Sequence, residues 1–476
     1  MFLLLLINAN YVQAFQSDSL ASKPGNARTF AEQFQYQRGE ITTADNKVVA
    51  ESQKVSGVYN YQRHYPYGAL YAPVTGYDSL YSATGIEQAE NKLLNGSDPR
   101  LAVRNLIDLI TGKPKKGATV QLTINSVAQQ AAYAALKQAK LPSGVVAIQP
   151  STGAILAMAS YPTFNPNKYA TLNGPQLDRI DKAYQNAPNE PLLNKAINDT
   201  FPPGSTFKIV TSSTAFSKGK YTPDTQVDAP TNLKLPNTSK ELINYDNLPC
   251  GSGRVPVIYA FTVSCNTAFG KIGMKLGGSA LRHQADKFGM NRSLRIPLLV
   301  SPSNYPPVSD PALTAYSAIG QYNDTVTPLQ EAMFAAAIAN HGTLMKPYLV
   351  NKVTAPDLTP LETTQPSVLS HTVSTTVASQ VARMMASVVS SSYGTAHAVA
   401  GNVGISIAAK TGTAQNGVNN VGLDDAVFTC FAPVDNPQIA VGVVVKGGGL
   451  GADASAPVAV KIIKAYISYL NSQAKR

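Results

Sequence analysis

The sequence predicts an α+β fold, an antiparallel sheet flanked by helices and preceded by a smaller mixed module. Three observations predict it. Residues 144–148 and 154–159 are apolar runs around the turn Pro150-Ser151-Thr152-Gly153, the pattern of a hairpin. Residues 428–432 and 439–445 are two more apolar runs, joined by Asp435-Asn436-Pro437. Helical patterns fill the interval and close the chain, over residues 205–216, 331–340 and 458–470. Strands early and late in one domain, with helices between them, require a sheet that joins both ends.

Taken in order, the chain opens on the apolar run Met1-Phe2-Leu3-Leu4-Leu5-Leu6-Ile7. Crossing a bilayer takes roughly 20 apolar residues, so residues 1–15 read as the outer end of a transmembrane anchor, with a signal remnant as the other reading. Either places the body outside the cytoplasm. Residues 16–141 form the mixed module. Arg38-Gly39-Glu40-Ile41 followed by Val48-Val49-Ala50 reads as a hairpin, and residues 59–81, rich in Tyr, Pro and Gly, favour strands and turns. Residues 101–110 have helical spacing, residues 119–124 alternate like a strand, and residues 126–140 are Ala-rich and helical. Residues 142–476 form the second domain.

A net charge of +11 admits nucleic acid, an anionic surface or an anionic polymer as partner. Nucleic acid is excluded: the basic residues are dispersed, the longest run is Lys113-Pro114-Lys115-Lys116, and no zinc spacing or basic helix accompanies them. The five histidines show no paired spacing, so no metal and no cofactor is expected. Cys250, Cys265 and Cys430 form no CxxC pair. Cys250 and Cys265 are close enough to close a small disulfide loop in an oxidising compartment, or are buried thiols; spacing leaves both open. Asp424 and Asp425 read as an exposed turn.

The chemistry sits in three short stretches. Pro203-Gly204-Ser205-Thr206-Phe207-Lys208 puts a serine and a lysine one helical turn apart. A serine hydroxyl needs a base to become a nucleophile. A lysine amine serves if burial or a nearby cation depresses its pKa. Alone, SxxK more often marks a capping serine and an exposed lysine. Thr262-Val263-Ser264-Cys265-Asn266-Thr267 adds a second hydroxyl and an amide, and Ala408-Ala409-Lys410-Thr411-Gly412-Thr413-Ala414 puts a lysine, two hydroxyls and a glycine on a strand. That glycine permits close approach of a substrate backbone, which the strand edge can bind by β-addition. SxxK, SxN and KTG in this order are the pattern of penicillin-recognising serine enzymes.

The chain resembles the class B penicillin-binding proteins, and within them the actinobacterial penicillin-binding protein A group. The likeness covers nearly the whole chain. It includes Arg38-Gly39-Glu40-Ile41, residues 70–77, Gly85-Ile86-Glu87, residues 150–158, Asn194-Lys195-Ala196, Ile319-Gly320-Gln321 and Thr327-Pro328-Leu329-Gln330. The resemblance implies a penicillin-recognising transpeptidase fold with an all-helical subdomain, and a D,D-transpeptidase that cross-links peptidoglycan stem peptides and is acylated by β-lactams.

It further implies Ser205 as nucleophile, Lys208 as its base, Ser264 and Lys410 as a proton relay, and Asn266 as a substrate and Lys208 holder. Thr411, Gly412 and Thr413 would bind substrate, with the Ser205 and Thr413 N–H groups as the oxyanion hole. Cys265 departs from the wider superfamily, where Asp is common at that place. A single-pass membrane protein with an extracytoplasmic catalytic domain follows, partnered by a glycan polymerase and by division or elongation proteins. A D,D-carboxypeptidase and a β-lactam-sensing scaffold share the motifs and stand as alternatives.

Overall fold

The computed structural model describes residues 1, 5, 8, 11, 33–102, 104, 107, 110–112, 114–415 and 423–475. The expected anchor therefore falls outside the described residues except for Met1, Leu5, Asn8 and Tyr11, and residues 101–110 are described only in part. Among the described residues no helix is long and apolar enough to cross a membrane.

The chain forms two units, each gathered from separate stretches. The first comprises residues 1–122, 164–186 and 352–363; the second comprises 123–163, 187–351 and 364–476.

The first unit is built on a six-stranded sheet. Ile41–Thr42 runs antiparallel to Val48–Lys54 and parallel to Thr119–Leu122. Tyr61–His64 extends one edge, and Val350–Thr354 with Pro360–Thr363 extends the other. The tyrosine-rich stretch departs from its propensity. After Tyr61–His64 the chain forms a 3₁₀ turn, Gly68–Tyr71, and a short helix, Ala72–Thr75, with Pro73 in its first turn. Tyr71, Ala72 and Val74 are buried, and that burial overrides a local preference worth only tenths of a kcal/mol per residue.

In the second unit, β1 (Ser143–Ile148) and β2 (Ile155–Tyr161) form the predicted hairpin, while β3 (Ala408–Ala414), β4 (Asp425–Ala432) and β5 (Ile439–Val445) arrive late in the chain. The antiparallel order is β3-β4-β5-β1-β2, so β5 pairs with β1 and the chain's early and late strands meet. β1, β4 and β5 are buried along their whole length, which is why they read as unbroken apolar runs rather than alternating ones.

Helices α1 (Ser126–Ala139) and α6 (Gly451–Ala474) pack on each other and on the sheet, and α4 (Pro328–Ala339) packs on β5 and β1. α4 is buried throughout. Helices α2 (Lys208–Ser217) and α3 (Asn266–Leu276) belong to a mostly helical region that also carries small two-stranded pieces. Helix α5 (Thr375–Ser390) packs on β3. Asp425 corrects the expected exposed turn: it opens β4, is buried, and its Oδ1 accepts the Gly447 N–H.

Candidate active site

The stretch that bears Ser205 is not one continuous α-helix. Gly204–Phe207 is a 3₁₀ turn that runs into α2 at Lys208. Gly204 has φ +55°, and a Cβ there would lie 2.7 Å from Thr413 O and 3.3 Å from Thr413 N. A side chain is therefore impossible at the point where the turn touches β3. Gly412 repeats the device from the other side, since its Cβ would come within 2.8 Å of Pro203 O. Two glycines thus let Ser205 and Thr413 sit side by side.

Ser264 occupies the left-handed region, with φ 61°, a conformation that non-glycine residues rarely adopt and that clusters at functional sites. It lies between the helix Val257–Thr262 and α3. Its carbonyl and hydroxyl both face Lys208. Asn244, a buried residue from another loop, caps α3: its Oδ1 accepts the N–H groups of Asn266 and Thr267 at 2.9 and 3.1 Å, and its Nδ2 donates to Leu248 O. The disulfide Cys250–Cys265 ties the same loop to the same helix start. Asn244 carries no sequence signal, because nothing local marks an amide that caps a helix 22 residues away.

Three motifs converge on two buried amines. Lys208 Nζ lies 3.0 Å from Ser205 Oγ, 2.8 Å from Ser264 O, 2.8 Å from Asn266 Oδ1 and 3.3 Å from Ser264 Oγ. Lys410 Nζ lies 2.9 Å from Ser264 Oγ and 3.0 Å from Thr411 O. Both side chains are fully buried, and the rings of Phe269 and Phe261 lie 5.6 and 5.5 Å from their respective amines.

Among the described residues no carboxylate pairs with either lysine. Burial, reinforced by the neighbouring Lys410, pushes Lys208 well below its usual range. Burial pushes Lys410 down to about 7.

The hydrogen-bond inventory then decides what Lys208 can do. A neutral amine has two N–H donors and one lone pair. Ser264 O is a carbonyl and can only accept. Asn266 Oδ1 is also an acceptor, because Asn266 Nδ2 donates to Ile243 O. In the neutral amine these two close acceptors would take both donors, which would leave the lone pair for the Ser205 O–H.

The motifs line one cleft of about 760 Å³ with Ser205, Ser264, Asn266, Thr411 and Thr413 on its walls, and residues 241–246 and 248–250 along one side. Further residues join the site without having been assigned a role from sequence. Thr395 Oγ1 lies 2.7 Å from Thr411 Oγ1, and Gln321 Nε2 donates to Thr413 O at 3.3 Å. Gln321 lies in the Ile319-Gly320-Gln321 stretch, which was its one available signal. Gly412 lies on β3 between Thr411 and Thr413 and serves by its lack of a side chain.

Comparison with known proteins adds a family. Residues 143–465 match the penicillin binding protein transpeptidase domain, and residues 38–120 match the penicillin binding protein A dimerisation domain. The chain is 40% identical to the peptidoglycan D,D-transpeptidase PbpA of Mycolicibacterium smegmatis, over 94% of this chain and 92% of that protein. It is 38% identical to PbpA of Mycobacterium tuberculosis, over 98% of this chain and 96% of that one. The solved ceftriaxone acyl-enzyme complex of M. tuberculosis penicillin-binding protein A superposes with a TM-score of 0.87 at 38% identity, covering 91% of this chain and 99% of that one.

Proposed function

The chain belongs to the penicillin-binding protein transpeptidase family, and from that premise we propose that it is a peptidoglycan D,D-transpeptidase whose acyl-enzyme forms on Ser205. The observation that carries the assignment of roles is the pair of carbonyl oxygens at 2.8 Å from Lys208 Nζ, with Ser205 Oγ at 3.0 Å from the same nitrogen.

Lys208 takes the Ser205 proton as Oγ attacks the carbonyl between the two terminal D-alanines of a stem peptide. The negative charge that develops on the carbonyl oxygen is held by the N–H groups of Ser205 and Thr413. Collapse breaks the amide bond. Ser264, 2.9 Å from Lys410 Nζ and 3.3 Å from Lys208 Nζ, passes a proton to the departing D-alanine nitrogen and is reprotonated from the lysines. The Thr411 and Thr413 hydroxyls, with the Lys410 charge, take the terminal carboxylate. Asn266 has a second Nδ2–H for the substrate backbone. The amine of a neighbouring stem peptide then attacks the ester, forms the cross-link and frees Ser205. A β-lactam acylates Ser205 by the same route.

The Cys250–Cys265 disulfide supports an oxidising, extracytoplasmic location, and the apolar run at residues 1–7 supports a membrane anchor. A glycan polymerase, with division or elongation proteins, is the partner set that a transpeptidase of this kind requires.

Intact mass after incubation with a fluorescent penicillin, followed by peptide mapping, tests the reading. One stable adduct on Ser205, absent in Ser205→Ala, is expected. Rapid penicillin loss without an adduct would assign a hydrolase instead. Transfer of the acyl group to an added amine, measured against its hydrolysis, separates a transpeptidase from a D,D-carboxypeptidase or a sensor.

A further inference from the structure

Behind Ser205 lies an acid that the mechanism above does not use. Glu331, in α4, is fully buried. Its Oε1 is 2.8 Å from Thr206 Oγ1, and among the described residues its Oε2 has no hydrogen-bond partner. Thr206 is the residue after the nucleophile, and its Oγ1 is also 2.8 Å from Pro203 O.

One hydroxyl has one proton, and these two contacts both ask for it. The Pro203 carbonyl can only accept. Were Glu331 a carboxylate, it too could only accept, and one of the two close contacts would set lone pair against lone pair. A protonated Glu331 removes the conflict: its O–H donates to Thr206 Oγ1, and the Thr206 O–H donates to Pro203 O.

We propose that Glu331 is a positioning residue of the acyl-transfer site, a carboxylic acid held neutral so that it donates to Thr206 and fixes the turn that carries Ser205. The inference deepens the Ser205 reading above and rests on it for its catalytic consequence.

The surroundings fit a neutral acid. α4 holds no other ionisable residue, and β1, β5 and the strand Thr343–Met345 hold none. β4 contributes Asp425, occupied by the Gly447 N–H, and Cys430, which strand alternation turns away from the face of Thr429. α5 contributes Arg383, exposed and paired with Asp224. Lys208, which follows the nucleophile turn, is engaged with Ser205, Ser264 and Asn266. Among the described residues no cation pairs with Glu331, and burial pushes its carboxyl up to about 8.

The acid is also clamped. The Thr429 O–H donates to Glu331 O at 2.5 Å. A Cβ on Gly442 would lie 2.7 Å from Glu331 Cβ, so α4 sits directly on β5. At the other end the Thr206 methyl carbon lies 3.1 Å from where a Gly412 Cβ would be. A shift of Thr206 therefore moves Ser205 against β3.

The test compares wild type, Glu331→Gln and Glu331→Leu by the rate of acylation with a fluorescent penicillin from mildly acidic to alkaline pH. Thermal unfolding of each gives the folded fraction. Glu331→Gln, whose NH₂ still donates, should stay within roughly tenfold of wild type at neutral pH and should lack the step of alkaline loss near pH 8, while keeping the step near pH 7 that belongs to Lys410. Glu331→Leu should acylate roughly 100-fold more slowly than wild type per folded molecule at neutral pH, the gap narrowing above pH about 8 as wild type loses its own proton. A Leu variant as fast as wild type at neutral pH, or a Gln variant that keeps the step near pH 8, overturns the proposal. Infrared difference spectra read the proton independently of acylation. A protonated-carboxyl stretch at neutral pH, missing from Glu331→Gln, is expected, and its absence from wild type overturns the neutral acid. If wild type carries the stretch but is never acylated, the Ser205 reading falls and the positioning role falls with it, while the neutral acid stands.

Discussion

Buried charge is handled in opposite ways in the two units. In the first, Glu87 is fully buried between two arginines: Arg38 Nε donates to Oε2 and Arg63 Nε to Oε1, each at 2.6 Å. Asp78 stands 3.7 Å from Arg38, and the Tyr65 hydroxyl donates to Glu87. Burial alone would raise the Glu87 carboxyl; the arginines reverse that and hold it below its usual range. In the second unit, Lys208 and Lys410 are equally buried and face no carboxylate among the described residues. Their pKa values fall instead. Compensated charge makes a structural joint that stays ionised, and uncompensated charge makes an amine that can accept a proton. The same desolvation acts in both places; the partner decides its outcome.

The comparison breaks if substitutions in the two clusters have the same effect. Lys208→Ala should slow Ser205 acylation by roughly 100- to 10,000-fold without lowering the unfolding midpoint, as stopped-flow acylation and calorimetry would read. Glu87→Ala should do the reverse. Stranding two buried arginines should cost about 3–5 kcal/mol in denaturant unfolding, with acylation per folded molecule unchanged. Its wild-type contribution has an acid window: with the folded pKa below 4.5, it is complete above that pH and is lost as pH falls through the folded value.

Lys410 sharpens the contrast with a smaller, alkaline effect. Its folded pKa is about 7 against 10.5 unfolded. Between those values the unfolded chain binds the extra proton, so wild-type stability rises with pH across that window. Lys410→Met lacks this slope, so its advantage in urea titrations should be largest below pH 7 and should shrink towards pH 10.5. Glu331 has the opposite sign. Its folded pKa of about 8 exceeds 4.5, so the folded state holds the proton longer and wild type loses stability as pH rises between them. Glu331→Gln should match wild type at the acid end and gain on it progressively, the gain levelling off above pH 8.

Much of the second unit was legible because its signals are local and strong. β1, β2, β4 and β5 are short apolar runs with turn residues between them, and SxxK, SxN and KTG each stand within a few neighbouring residues. Long-range return was not legible. Residues 164–186 and 352–363 belong with the first unit, and no periodicity records which surface a segment will fold against. The Tyr-rich stretch misled for a related reason: propensity is weak, and the burial of Tyr71 and Val74 outweighed it. Asp425 looked like a surface turn because an acidic pair usually is one, until the Gly447 amide gave its carboxylate a partner inside.

Sequence by itself determined the fold class, the three motif stretches and the family, since residue type, order and spacing are properties of the chain alone. Tertiary structure decided which way each proton runs. In the proposed mechanism the Lys208 lone pair faces Ser205 because two carbonyl oxygens from a distant segment take its N–H groups. The Cys250–Cys265 pairing, the Asn244 cap and the proton on Glu331 belong to the same class. Each depends on what surrounds a polar atom once water has been removed, and that is set by residues far away in the chain.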